Sequence, residues 1–319
     1  MRLILTARHY MEAAAYADPL NPKWANLAGY MNRMATGADN AERSGGWYQR
    51  GYALAVRLMG RGNDRVTRKR AKTEALMALT GIGALMKDLG RYDEALDYFT
   101  NAARRAVNTG RHRRAAVALH YAFALAVETE DYAAAVEYAN GALKWYRLDD
   151  ERLPALAHDF AYLLVRGSYF AAAFRILDGL PERLGGIWAM GMLQGLLVRA
   201  AAGADRPRKH REAERVALNL AKLHDKCAAP IFMNVAAAAH QLGDWERAAE
   251  HGARALELAR AAEDRLVEGL ALDLLEAVRR REPTPPPRVL PTYAPLAVLA
   301  RRLAARMRRW NRKRGGGGR

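Results

Sequence analysis

The chain is poor in several things, and each shortage removes a class of protein. It holds one cysteine, Cys227, in 319 residues, so no internal disulfide can form and multi-cysteine zinc modules are excluded. A reducing compartment follows, and a cytoplasmic location is expected. No run reaches 18 uninterrupted apolar residues, which argues against a membrane span. The basic and then apolar start, MRLILTARHYMEAAAYADP, is interrupted by Arg8, His9 and Glu12, and it reads as a helix instead of a signal peptide. No GxxxxGK[ST], GxGxxG, HExxH or GxSxG pattern occurs, nor any pair of carboxylates in an otherwise apolar segment. The expectation is a non-enzymatic protein with no catalytic residue, metal or cofactor.

Acid is missing from one end. The chain carries 51 Lys+Arg against 34 Asp+Glu, a formal net charge of +17. Residues 288–319 hold ten of the cations and no acid, which leaves about +7 on the body. Such asymmetry points to an interacting tail more than to a basic fold. Milder basic runs lie at 65–72, 104–114 and 206–211, near presumed helix junctions, where they read as solvated helix ends that complement C-terminal dipoles. With 51% hydrophobic residues, the body has ample material for a core, and wholesale disorder is excluded.

What is present is repetition. Leu79, Ile82, Met86 and Leu89 recur at three- and four-residue steps, the helical period. Gly90 then ends the helix, because glycine adopts the left-handed turn most cheaply. A second helix is expected from Tyr92, with Asp93 and Glu94 in its first turn and Ala95, Leu96, Phe99 and Ala102 facing inward. The same pattern returns at Gly243-Asp244-Trp245 with Ala248, at Asp131-Tyr132 with Ala135, and at Gly167-Ser168-Tyr169 with Ala172. Weaker copies are placed at Ala55 and Ala213. The marker alanines at 55, 95, 135, 172, 213 and 248 recur with a period of roughly 40 residues, which means stacked helical hairpins.

These residues resemble the tetratricopeptide repeat family. Leu79, Ile82-Gly83 and Met86 take its first-helix positions and Ala95 with Phe99 its second-helix ones. Phe232, Val235-Ala236 and Ala239 do the same before Trp245, Ala248 and Ala255. The lengthened period is similar to the longer-helix sensor arrays of bacterial regulators. The resemblance implies an all-α, right-handed superhelical solenoid of about six antiparallel hairpins. Residues 1–22 would form a capping helix, 23–281 the array, 282–294 a proline-rich spacer, and 295–319 a basic amphipathic helix with a glycine-rich tail.

The family's geometry places the first helix of each hairpin along a concave groove. Carried across, it implies groove positions Thr80, Lys87, His120, Tyr121, His158, Asn234 and His240, binding a segment of another protein or a peptide. Asn234 matches the asparagine of groove-clamping members, while Met77 and Val117 stand where the clamp's basic residues would be. The groove therefore reads as mixed and largely apolar, suited to an amphipathic helix or extended apolar segment. The three histidines sit in different repeats, about 10 Å apart per hairpin, too far for one metal's ligand shell.

At the C-terminus, Leu296, Leu299, Leu303, Met307 and Trp310 form an apolar stripe, with Arg301, Arg302, Arg308, Arg309, Arg312 and Lys313 largely opposite. Three readings stay open: docking on the open last repeat of the array, contact with nucleic-acid phosphates, or binding to an anionic membrane surface. The second, joined by the runs at 65–72 and 104–114, makes a nucleic-acid-associated regulator the alternative function.

Overall fold

The computed structural model describes residues 2–35, 38–61, 64–148, 150–180, 187–283 and 293–315. The proline-rich stretch 284–292 and the terminal glycines 316–318 lie outside them, as does the Lys313 side chain. Among the described residues all regular structure is α-helical, and the chain divides into two compact units, 1–147 and 148–319.

Unit 1 holds α1 (Arg2–Ala17), α2 (Pro22–Met34), α3 (Ala38–Arg61), α4 (Arg65–Asp88), α5 (Tyr92–Asn108), α6 (His112–Glu128) and α7 (Tyr132–Trp145). Each helix packs on the next, and α2 with α4 and α4 with α6 also pack, so three hairpins stack with their first helices side by side. Unit 2 repeats the scheme with α8 (Leu153–Arg166), α9 (Phe170–Leu177), α10 (Ile187–Gly203), α11 (Pro207–Leu223), α12 (Asp225–Gln241), α13 (Trp245–Ala261) and α14 (Arg265–Arg279). It ends with α15 (Tyr293–Gly315).

One backbone device turns the chain inside each of five hairpins. A residue at positive φ stands at Gly90, Glu130, Ser168, Asp205 and Gly243, so the turn keeps the near-constant period of the repeat. At Gly90, Ser168, Asp205 and Gly243 its N–H donates to the carbonyl three residues back, and the following N–H donates to the one five residues back: Gly90 to Lys87 and Arg91 to Met86, both at 2.9 Å. This is the Schellman closure of a helix C-terminus. Only two of the five are glycine. In the fourth hairpin the left-handed residue is Ser168, while Gly167 keeps an ordinary φ of −80°, so the sequence register there is off by one. The buried marker is accordingly Ala173, at 0% exposure. In the fifth hairpin the equivalent place, four residues after the N-cap, is taken by buried His210.

Small residues at the crossings let the helices approach. A Cβ built on Gly83 would stand 2.8 Å from the Phe99 ring, and Ala95 and Phe99 are fully buried beside it. Gly81 and Gly29 receive the Tyr48 ring in the same way. Burial pushes the Tyr48 hydroxyl up to about 12, against the lowering influence of Arg33.

The C-terminal stripe does dock, but on the first hairpin of unit 2: α15 packs against α8 and α9, and Asn311 Nδ2 donates to the Gly179 carbonyl at 2.6 Å. Leu296, Leu299, Leu303, Met307 and Trp310 are all buried. Hence the apolar face that a membrane-surface reading requires is occupied. All three basic runs depart from expectation in whole or in part. Arg105 does close α5, but residues 65–72, 112–114 and 207–211 begin α4, α6 and α11, where the helix dipole is positive and cations are unfavourable.

The packing sets two tests. Gly83→Ala lowers stability by about 1–3 kcal/mol through overpacking against Phe99, whereas Gly46→Ala in α3, whose Cβ meets nothing within 4 Å, stabilises by roughly 0.5–1 kcal/mol. Urea midpoints moving in opposite directions check the pair. Leu303→Ala, fully buried in the α15 stripe, costs about 2–4 kcal/mol, and thermal unfolding followed by circular dichroism reads the loss.

Candidate functional site

The first helices of unit 2, α8, α10, α12 and α14, pack in sequence and border a cavity of about 560 Å³, a volume ordinary for ligand sites. Helical spacing aims one face of each at it. His158, Tyr162 and Arg166 come from α8; Met192, Leu196 and Arg199 from α10. Met233, Asn234, Ala237 and His240, with Gln241, come from α12, and Leu266, Leu270 and Leu274 from α14. The lining is mainly apolar, with polar groups from α8, α10 and the end of α12 and the carboxylates of Asp264 and Asp273 on the α14 side.

Several of those polar groups are under-satisfied. His158 Nε2, Arg199 Nε and both polar atoms of the Gln241 amide are buried without a hydrogen-bond partner. Buried polar atoms are normally paired, and each orphan costs on the order of 1–3 kcal/mol, so their convergence on one cavity needs a reason. Arg199 is the sharpest case. Among the described residues no carboxylate pairs with it. Burial pulls its guanidinium pKa down; Tyr162 opposes that shift, and the charge of Arg166 adds to it. Arginine stays protonated regardless, so the fold holds a half-buried cation, its Nε unpaired, beside the cavity. His158 Nδ1 lies 3.0 Å from Asp159 Oδ1, which leaves Nε2 as the ring nitrogen lacking a partner. Asn234 donates to the Pro230 carbonyl of its own helix at 2.9 Å. His240 Nε2 lies 2.8 Å from the Glu282 carbonyl, its ring edge-on to Trp245.

The groove positions implied by the repeat resemblance thus divide. His158, Asn234 and His240 line this cavity; Thr80, Lys87, His120 and Tyr121 belong to unit 1. There Thr80 Oγ1 donates to the Leu76 carbonyl at 2.8 Å. Lys87 pairs with Glu128 at 2.6 Å, bridging α4 to α6. His120 is buried, with Nδ1 3.4 Å from the Tyr146 hydroxyl. Tyr121 stacks on Phe99, ring centroids 5.3 Å apart. Among the described residues no group of three or more His, Cys, Asp or Glu is placed to hold a metal ion, and none of the helices is long and apolar enough to cross a membrane.

Sequence reading missed Arg199, Tyr162 and Gln241. A signal for the first existed: Arg199 is the single charge in the 17-residue apolar helix IWAMGMLQGLLVRAAAG. The cysteine takes no part in the cavity. Cys227 is fully buried, its Sγ donates to the His224 carbonyl at 3.1 Å, and burial raises its thiol pKa.

A second cavity, about 750 Å³, lies between α8, α9 and α15. None of the buried orphan polar atoms lines it. On α15, Arg301, Arg302, Arg308, Arg309 and Arg312 are exposed, and half-buried Arg306 is pulled down by burial and by the charges of Arg302 and Arg309.

No protein-family model and no curated protein matches this chain. Solved structures do. BtubC (BKLC) from P. vanneervenii superposes with a TM-score of 0.51 at 13% identity, over 70% of this chain and 89% of that one. Yeast Tom70 superposes with a TM-score of 0.45 at 16% identity, over 88% of this chain and 59% of that one. With so few identical residues the likeness to BtubC is one of fold, and it agrees with the stacked helices of both units.

Because Arg199 is half-buried with its Nε unpaired and no carboxylate paired to it among the described residues, Arg199→Met, which keeps length and removes charge, is expected to stabilise the free protein by about 1–3 kcal/mol. A lower melting temperature for the variant would show that the cation is satisfied in the fold.

Proposed function

We propose that this protein is a non-enzymatic interaction module of the tetratricopeptide type, and that the unit 2 cavity receives a segment of a partner protein or a peptide. One observation carries the reading: a largely apolar channel formed by four first helices in which the buried polar atoms of Arg199, His158 and Gln241 lack partners. Proteins tolerate such groups where a ligand satisfies them. The lining specifies the occupant's chemistry. Met192, Leu196, Met233, Leu270 and Leu274 favour aliphatic or aromatic side chains, and Arg199 favours a single acidic group among them, held in a forked hydrogen bond. This amends the expectation of an apolar occupant by one charge.

Methionines in the wall suit a surface that accommodates several related segments. A regulatory role in the cytoplasm, with the occupant reporting the state of a partner, fits such a module and is part of the proposal. The support is the likeness of the repeat to sensor arrays together with the absence of a recognisable catalytic motif.

Panning a random dodecapeptide phage library against the full chain tests it. Peptides with one Asp or Glu flanked by apolar residues are expected to be enriched, and to bind Arg199→Met at least tenfold more weakly by fluorescence anisotropy. No enrichment, or equal affinity for the variant, overturns the assignment of the cavity.

A further inference from the structure

Unit 1 carries a surface that the groove does not use. It is the edge at which α3, α5 and α7 end and α4 and α6 begin. Antiparallel hairpins bring these five helix ends to one side, and three contacts tie them together. The Arg111 guanidinium donates to the Lys69 carbonyl at 3.3 Å, Arg105 donates to the Tyr52 hydroxyl at 2.9 Å, and His112 stacks on Trp145 with ring centroids 4.1 Å apart.

This edge is cationic along its whole length. Five of the eight residues at 65–72 are basic and all five are exposed. Arg61 closes α3, Arg104 and Arg105 close α5, and Lys144 lies in the last turn of α7. Among the described residues within these helix ends the one carboxylate, Asp64, is engaged as the N-cap of α4 with the Thr67 N–H at 2.7 Å. The next acid on α4 is Glu74, and α6 has none before Glu128 at its far end.

The placement runs against helix electrostatics. Three helices follow the rule, α5 with Asp93 and Glu94, α13 with Glu246 and α14 with Glu268, while α11 in unit 2 breaks it with Arg208 and Lys209 in a first turn without acid. At α4 and α6 the first turns hold no acid, and arginine and lysine occupy them instead. Cations at the positive end of a helix oppose folding, so a local rule is broken on one continuous surface, which is where function is expected to reside.

We infer that this edge binds the sugar-phosphate backbone of nucleic acid without reading its sequence. The charges belong mostly to arginines, whose planar forks match phosphate oxygens. They stand on the ends of successive hairpins stepped by about 10 Å, forming a row roughly 20–30 Å long, against which a strand offers a phosphate about every 3.4 Å. The row offers little of the apolar surface that a lipid bilayer or an amphipathic acidic helix requires; Val66 on α4 and Val107 at the end of α5 are its large exposed hydrophobic residues among those described. The row belongs to unit 1, and the exposed arginines of α15 belong to unit 2.

Fluorescence anisotropy with the full chain and a random-sequence 20-base-pair duplex, titrated between 50 and 200 mM salt, tests the inference. The triple variant Arg65→Gln/Arg68→Gln/Lys69→Gln is expected to bind at least tenfold more weakly at 100 mM salt. Its logarithmic salt slope should be shallower by about 2–3, near 0.9 for each phosphate no longer neutralised. It is also expected to fold, since the removed charges oppose the dipole, and circular dichroism verifies this. A companion variant with Arg301, Arg302, Arg308, Arg309 and Arg312 changed to Gln should retain the drop caused by the triple substitution. The inference is overturned by no duplex binding at 50 mM salt, by an unchanged affinity and slope in the triple variant, or by loss that follows the α15 substitutions alone. Displacement of the duplex as readily by polyglutamate or by phosphatidylserine vesicles as by unlabelled duplex also overturns it, and assigns the edge to acidic protein or to membrane.

Discussion

The close approach of paired helices at small residues is the constraint on which the rest of the fold depends. At Gly83 the neighbouring helix comes so near that a single methyl group would strike Phe99, and the alanines at 95, 135, 173 and 248, which hold equivalent places in their hairpins, are all fully buried. Such approach brings many atoms into dispersion contact while each helix contributes little area of its own. A hairpin built this way leaves its outer faces apolar and must stack on another. Stacking aligns the first helices, and this alignment creates a channel from residues that are far apart in sequence, such as His158, Arg199 and Gln241.

This constraint explains what could be read from sequence alone. Hairpin periodicity was legible because Ala95, Phe99, Ala248 and the glycines at 90 and 243 are dictated by backbone geometry at fixed offsets. It blurred where a different residue met the same geometric demand. Ser168 and Asp205 take the left-handed turn that glycine takes elsewhere, and His210 fills a place that alanine fills in other hairpins. Three cavity residues, His158, Asn234 and His240, were found from the repeat register. Arg199 was not, because periodicity reports which face of a helix is apolar and says nothing of a polar group buried on that face. The docking site of α15 was equally hidden: an amphipathic stripe records that a helix is covered, while the surface that covers it, α8 and α9, belongs to a segment far earlier in the chain.

Two kinds of local cost then stand out. In unit 2 the cost is desolvation, borne by the Nε of Arg199 and a ring nitrogen of His158, side chains that line a cavity. In unit 1 it is electrostatic, borne by arginines and lysines at the positive ends of α4 and α6. Neither is required by packing. Methionine would fill the Arg199 position, and glutamate in the first turn of α4 would suit its dipole as Glu94 suits that of α5. The two costs differ in the partner that would relieve them, since a half-buried single cation asks for one enclosed acidic group and an open row of solvated cations asks for an extended polyanion.

The net charge of +17 thereby acquires a spatial meaning that composition lacks. Ten of the cations lie within 288–319, yet burial of the Leu296–Trp310 stripe fixes the basic face of α15 as the outer surface of a docked helix and removes its use as a membrane anchor. The smaller excess on the body is not diluted over the surface either. Antiparallel packing gathers the runs at 65–72 and 104–114 onto one edge, although the most apolar stretch of α4 and most of α5 separate them in sequence. The edge of unit 1 therefore places cations from two distant runs on adjacent helix ends, and it is this arrangement on which the inferred polyanion site rests.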